Sequence, residues 1–218
     1  MSTPETREKI LDVAERLFAE EGFTATSLRR ITAEAGVNSA AVNYHFRSKE
    51  GLIHEVFARR FAAINGERLH RLDEVLRRSE GGRAAVREIL HALVGPVLEA
   101  KRGEEGGGER CRRLIGRAHS DPGKEVQALF LGHFREVITR FHDALGDALP
   151  HLSGEEVCWR LRFAIGAMAH AMASGERFHE LWAEGCSAMD ESELEERLVR
   201  FLEAGMIGGS SPEREEAR

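Results

Sequence analysis

β-Branched residues are scarce in this 218-residue chain: Val, Ile and Thr together number only 27, too few to supply an extended sheet. Proline occurs five times and tyrosine once, at Tyr44. The three cysteines, Cys111, Cys158 and Cys186, are odd in number and far apart. They form neither a disulfide framework nor a zinc-ligand pattern, and they fit a reducing compartment. The longest apolar stretch, Phe163 to Ala173, contains His170 and is shorter than the roughly 18 residues a membrane span needs. The first turns carry Glu5, Arg7, Glu8, Lys9 and Asp12 and no apolar export segment. The expectation is a cytoplasmic protein with no membrane partner. A basic coat is missing too: 31 basic groups face 37 acidic ones, for a net charge of −6. That excludes a uniformly positive nucleic-acid binder, while leaving room for a reader whose charge is local.

What is abundant is helix-forming material. Ala, Glu, Leu, Lys and Arg make up about half of the chain, the proportion of long helices, so the expected fold class is all-α. Thr3-Pro4 caps a first helix over residues 4 to 21, carried by Ile10, Val13, Ala14, Leu17 and Phe18 and ended by Gly22. Leu28, Ile31 and Ala35 mark a short helix stopped by Gly36, and a second short one runs from about Asn38 to Phe46. Ser48 caps a long helix containing Ile53, Val56, Phe57, Phe61, Ile64, Leu69, Leu72 and Leu76.

Beyond Gly81-Gly82, the stripe Val86, Ile89, Leu90, Leu93, Val94, Val97, Leu98 reads as a helix, and Gly103 to Gly108 as a loop. Leu114, Ile115 and Ala118 follow, then a helix with Val126, Phe130, Phe134, Val137, Phe141 and Leu145. From Gly154 to Ser174 apolar residues fall on nearly every side, which requires burial on more than one face. Leu194, Leu198, Phe201 and Leu202 mark a last amphipathic helix before a disordered acidic tail, 208–218. The expected domains are 1–62, 63–207 and that tail.

Two short helices joined by a glycine-containing turn, at about residues 27–46, have the spacing of a helix-turn-helix, whose second helix enters the major groove. At about 100° per residue, Val42 and Phe46 share an inward face, leaving Ser39, Ala40, Asn43 and Tyr44 outward. Ala40 is small enough to meet a thymine methyl, Ser39 and Asn43 can bond base edges, and the Tyr44 phenol can reach a phosphate. Thr26 or Ser27 and Lys49, at the starts of the flanking helices, offer hydroxyls, backbone N–H groups and a cation to the DNA backbone. A plain helical hairpin within a core has the same spacing.

The run from Gly22 to Leu52 resembles the DNA-binding domain of TetR-type transcriptional regulators. Gly22-Phe23 with Thr26-Ser27, then Ile31 with Ala35-Gly36-Val37, then Tyr44 with His45-Phe46, Lys49 and Leu52 match the family signature. Many members carry glycine where Ala40 stands. The resemblance covers roughly residues 4 to 62. It implies phosphate contacts from Thr26, Tyr44 and Lys49 and groove contacts from Ser39, Ala40 and Asn43, with His45 beside them.

It further implies a homodimer on a near-palindromic double-stranded DNA operator, released by a small-molecule effector, hence a repressor. The helix from Gly154 to Ser174, with small residues Ala164, Gly166, Ala167, Ala169, Ala171 and Ala173, is the expected dimer helix. It would pair with the one from Leu194 to Phe201 in an intermolecular four-helix bundle. Phe130, Phe134, Phe141, Phe163, Met168 and Met172 fit either an apolar effector pocket or plain core. The stretch from Pro150 to Ala167 is similar to C-terminal domains of TetR-type regulators of fatty-acid metabolism, which implies an apolar, acyl effector.

Other readings are a helical interaction protein without operator binding and a di-iron bundle oxidase. Glu88-x-x-His91 and Glu176-x-x-His179 have the spacing used by di-iron bundles, but two such matches are near chance for this composition. No nucleophile triad or phosphate-cradling loop stands out, so neither an enzyme nor a cofactor is expected.

Overall fold

The computed structural model describes residues 4–79, 84–99, 107–121, 123–181 and 190–209. Among these, nine helices follow in order: α1 (Pro4–Glu21), α2 (Leu28–Ala35), α3 (Ser39–Phe46), α4 (Lys49–Arg78), α5 (Val86–Glu99), α6 (Gly107–Ser120), α7 (Lys124–Ala148), α8 (Gly154–Leu181) and α9 (Glu191–Ile207). All the expected helices form, and no strand occurs among the described residues. The tail expected to be disordered lies outside them except for Gly208 and Gly209.

Helices α1 to α3 and the head of α4 close on Ile10, Leu17, Phe18, Ile31, Val42 and Phe46, all buried. Helix α4 has 30 residues, roughly 45 Å at 1.5 Å per residue, and runs through the expected boundary at residue 62 without a break. Its stacked Phe57 and Phe61 leave the first bundle and meet Phe130 and Phe134 of α7. The two halves therefore share an aromatic cluster, and α4 belongs to both.

The glycine-rich loop is shorter than its composition indicates: Gly107 and Gly108 begin α6. Glycine lowers helix propensity by only about 1 kcal/mol, and tertiary packing of the following turns outweighs that. Leu114, Ile115 and Ala118 are buried, and Arg117 donates to the Glu20 carbonyl of α1 at 2.9 Å. Helix α5 continues through Pro96 inside an otherwise buried apolar face. Helix α8 runs beyond Ser174 to Leu181.

Burial on α8 is divided differently from the all-round pattern of its sequence. Val157, Leu161, Ala164, Met168 and Ala169 are buried within the protomer, while Trp159 and Phe163 are exposed. Of the small residues expected to permit close helix approach, Ala164 and Ala169 follow Leu161 by three and eight residues and share its buried side within the protomer. The side chains of Met172 and Ala173 lie outside the described residues.

Candidate nucleic-acid interface

The turn between α2 and α3 is fixed by local chemistry. Ser27 caps α2 by accepting from the Arg30 N–H at 3.2 Å. Gly36 ends it in the left-handed region at φ 65°, where glycine alone avoids a steric penalty. Asn38 then caps α3, its Oδ1 accepting from the Ala40 N–H at 2.5 Å, and Ser48 caps α4 by accepting from the Gly51 N–H at 3.1 Å. A Cβ at Gly51 would overlap the Phe46 carbonyl oxygen, so glycine there lets α3 run directly into α4. Bonding within the head of α4 and to the Ser48 hydroxyl holds the Glu50 carboxyl below its usual range, beside Lys49.

These constraints bury Val42 and Phe46, with the Arg7 guanidinium 5.7 Å from the Phe46 ring centre. Ser39, Ala40, Asn43 and Tyr44 all face solvent, and Tyr44 is 76% exposed. His45 is half-buried, its ring 5.1 Å from Tyr44 and 5.8 Å from Phe46. Lys49 is half-buried at the first position of α4, and Ser27 is exposed.

Thr26 departs from the expectation. It is fully buried, and its hydroxyl donates to the carbonyls of Gly22 at 2.7 Å and Leu17 at 3.3 Å. A buried hydroxyl needs such partners, so this side chain fastens the loop to α1 and leaves Ser27 at the surface. Of the basic side chains around the turn, Arg30 pairs with Glu21 at 3.3 Å and with Glu34 at 3.6 Å. Arg29, Arg47 and Lys49 have no ion pair among the described residues.

A second feature lies in the other half. A cavity of about 910 Å³ between α4, α5, α6, α7 and α8 is lined by Phe130, Phe134, Phe141, Phe163 and Met168, five of the six residues expected in either a pocket or a core. The side chain of the sixth, Met172, is outside the described residues. The volume is at the upper end of the roughly 300–1,000 Å³ usual for small-molecule sites.

Arg68 also lines this cavity, and composition-level reading passed it over. The available signal was a charged residue at helical spacing within the stripe Phe61, Asn65, Arg68, Leu72. His91, considered above with a metal, bonds Glu195 of α9 at 2.9 Å. The side chain of His179 lies outside the described residues.

The family model for the tetracyclin repressor-like C-terminal domain matches residues 91–205, more than half of the chain. The chain belongs to the TetR family. The tetR-family model of bacterial regulatory proteins matches residues 10–56, the helices around the capped turn. The regulator AcrR of Shigella flexneri is 39% identical over 100 residues, 45% of each chain. The repressor KstR2 of Rhodococcus jostii is 44% identical over 50 residues, 23% of this chain and 24% of that one. The chain thus spans less than half the length of these curated relatives.

Among solved structures, the fatty acid degradation regulator FadR of Bacillus halodurans superposes with a TM-score of 0.67 at 14% identity, over 94% of this chain and 97% of that one. FadR of Bacillus subtilis, determined in complex with stearoyl-CoA, gives 0.67 at 14%, over 91% and 98%. At that identity the likeness is one of fold. No helix among the described residues is long and apolar enough to cross a membrane. The helix-turn-helix of this TetR-family member lies within the residues that the tetR-family model matches.

Proposed function

We propose that the protein is a homodimeric repressor acting in the cytoplasm, releasing a near-palindromic operator when a small apolar, acyl-bearing molecule occupies the cavity. The observation that carries this is the outer face of α3. Ser39, Ala40, Asn43 and Tyr44 are presented together on a helix whose underside is buried and whose two neighbours are capped against it. Such a face lets Ser39 and Asn43 meet base edges and Tyr44 and Lys49 meet phosphates, while Ser27 and the first N–H groups of α2 receive a phosphate. His45 packs behind Tyr44 and orients it. Thr26 contributes through the loop it anchors.

Dimerisation is supported by two exposed apolar groups on adjacent helices, Trp159 and Phe163 on α8 and Phe201 and Ile207 on α9. Pairing those helices with a second copy makes a four-helix bundle and brings two α3 helices to one side. The acyl class is supported by the FadR complex with stearoyl-CoA on the same fold and by the apolar lining of the cavity. The route from cavity to DNA is short: Phe130 and Phe134 line the cavity and pack on Phe57 and Phe61 of α4, whose head holds α3. An effector favouring a shifted α4 lowers operator affinity by its preference for that state.

The test is a mobility shift with the DNA upstream of the protein's own gene across a salt series. Binding should weaken steadily with salt, and Tyr44→Ala and Lys49→Ala should each weaken it further with the helical content unchanged. Wild-type affinity in both variants would sink the proposed docking.

A further inference from the structure

Helices α3 and α4 are joined by Arg47 and Ser48 alone, and the joint is strained. Arg47 has φ 67° and ψ −43°, and the Ser48 N–H donates to the Phe46 carbonyl at 2.8 Å. This is a three-residue γ-turn close to the form with φ about +75° and ψ about −65°, which is rare and strained. Among the described residues, Arg47 is the one non-glycine with a positive φ. The turn is forced from both sides: Phe46 is buried, Ser48 caps α4, and Gly51 admits the Phe46 carbonyl oxygen against the first turn of α4. A glycine at position 47 would make the same turn without a Cβ to crowd the backbone. An arginine in that place strains it, and strain of this kind marks positions whose side chain is used.

Arg47 stands at the end of the outer face of α3. It follows Ala40 by seven residues, Asn43 by four and Tyr44 by three, spacings that share one side of a helix. It is exposed, and its guanidinium has no ion pair among the described residues. Glu50, three residues on, is turned to the Ser48 hydroxyl and the head of α4 instead. We infer that Arg47 is a DNA-backbone anchor: its fork binds a phosphate at the edge of the groove that α3 enters, and the strained turn holds it there. The inference rests on the reading of α3 as the groove-docking helix and deepens it. A guanidinium offers a phosphate two parallel N–H donors, which neither the Tyr44 phenol nor the Lys49 ammonium can do. Base edges are read from the N-terminal part of such a helix, so a group just beyond its last turn positions the protein and carries no sequence preference.

The experiment compares the full chain with Arg47→Gly, Arg47→Gln and Arg47→Lys across a salt series, on the DNA upstream of the protein's own gene and on a random duplex of equal length. Arg47→Gln keeps the Cβ and loses the charge, whereas Arg47→Gly loses both. Each should weaken binding about ten-fold or more, by the same factor on both duplexes, the worth of a charge-assisted bond. The slope of log affinity against log salt should flatten by about 0.9 for each phosphate released. Arg47→Lys should keep the slope and recover part of the affinity. Arg47→Gly should melt at a higher temperature than Arg47→Gln, because it alone relieves the turn, and melting no higher overturns the link between strain and contact. Wild-type affinity and slope in both Arg47→Gly and Arg47→Gln, with Tyr44→Ala still impaired, overturn the Arg47 assignment and leave the docking of α3 in place. A loss confined to the upstream DNA makes Arg47 a base contact and overturns the phosphate assignment. A wild-type chain that binds neither duplex overturns both readings.

Discussion

The guanidinium of Arg160, on α8, donates to the main-chain carbonyl of Met206 at the end of α9, at 2.8 Å. It also reaches the carbonyls of Gly208 at 2.5 Å and Gly209 at 2.8 Å, while its Nε is held by Glu156 at 2.8 Å. A helix end leaves four carbonyls unsatisfied, and α9 has neither a basic residue in its last turn nor a left-handed cap at Gly208. Arg160 therefore closes α9 from outside and fixes it to α8. Arg160→Met should cost about 1.5–3 kcal/mol in chemical denaturation, the range for bonds made by a charged group. Arg160→Lys should recover little, because an ammonium has no planar fork. A loss below about 0.5 kcal/mol would show that water serves these carbonyls equally well.

The helices were legible in the sequence because their signals are local. Ser27, Gly36, Asn38 and Ser48 punctuate the chain at spacings that leave few other ways to fold it, and the outward set Ser39, Ala40, Asn43, Tyr44 follows from helical geometry once Val42 is placed inside. Side-chain direction in the loops was not legible. Thr26 and Ser27 are adjacent and chemically alike, and only the approach of the Leu17 and Gly22 carbonyls turns one inward. The same holds for Ala164 and Ala169, whose burial depends on partners distant in sequence. Glycine content at 106–108 misled about where α6 begins, because the contact of Arg117 with α1 cannot be seen from composition. Arg68 was hidden by its own charge: a reading of apolar stripes steps over a cation that the fold buries.

His133 makes stability depend on pH in a stated direction. Burial against Phe57 and Phe61, and secondarily the neighbouring His54, hold its pKa below the ordinary 6.5, and its buried Nε2 has no hydrogen-bond partner among the described residues. The folded state thus resists protonation more than the unfolded state does. Its contribution is intact above 6.5, the unfolded value, and is lost as pH falls from there toward the lower folded value. His142 works the other way: the Asp143 carboxylate and then the Gly154 carbonyl raise its pKa, so its contribution is present at low pH and lost as pH rises through the folded value. The wild-type profile combines the two. In His133→Phe, which keeps an aromatic ring in the cluster, the melting temperature should fall less between about pH 7.5 and pH 5.5 than in the wild type. Parallel profiles would assign the acid sensitivity elsewhere.

Phe163 and Phe201 are 66% and 68% exposed, on the two helices proposed to meet a second copy. Large apolar side chains this exposed are ordinary singly but informative when grouped: Phe163 packs on Trp159 with ring centres 6.0 Å apart, and Gly166 and Gly205 leave open space beside them for a close partner. Because neither phenylalanine is in the protomer core, Phe201→Asp should leave the melting of the fold largely intact while placing two carboxylates in the proposed interface, where burying unpaired charge is costly. Sedimentation should show a dimer for the wild type and a monomer for Phe201→Asp. Operator affinity should then fall on the order of a hundred-fold, since each α3 helix must find its half-site without the other. Phe201 is the preferred position because it does not line the cavity, whereas Phe163 does and a change there would alter ligand binding as well. A dimer that survives Phe201→Asp with full operator affinity would place the two-fold contact on another face of the molecule.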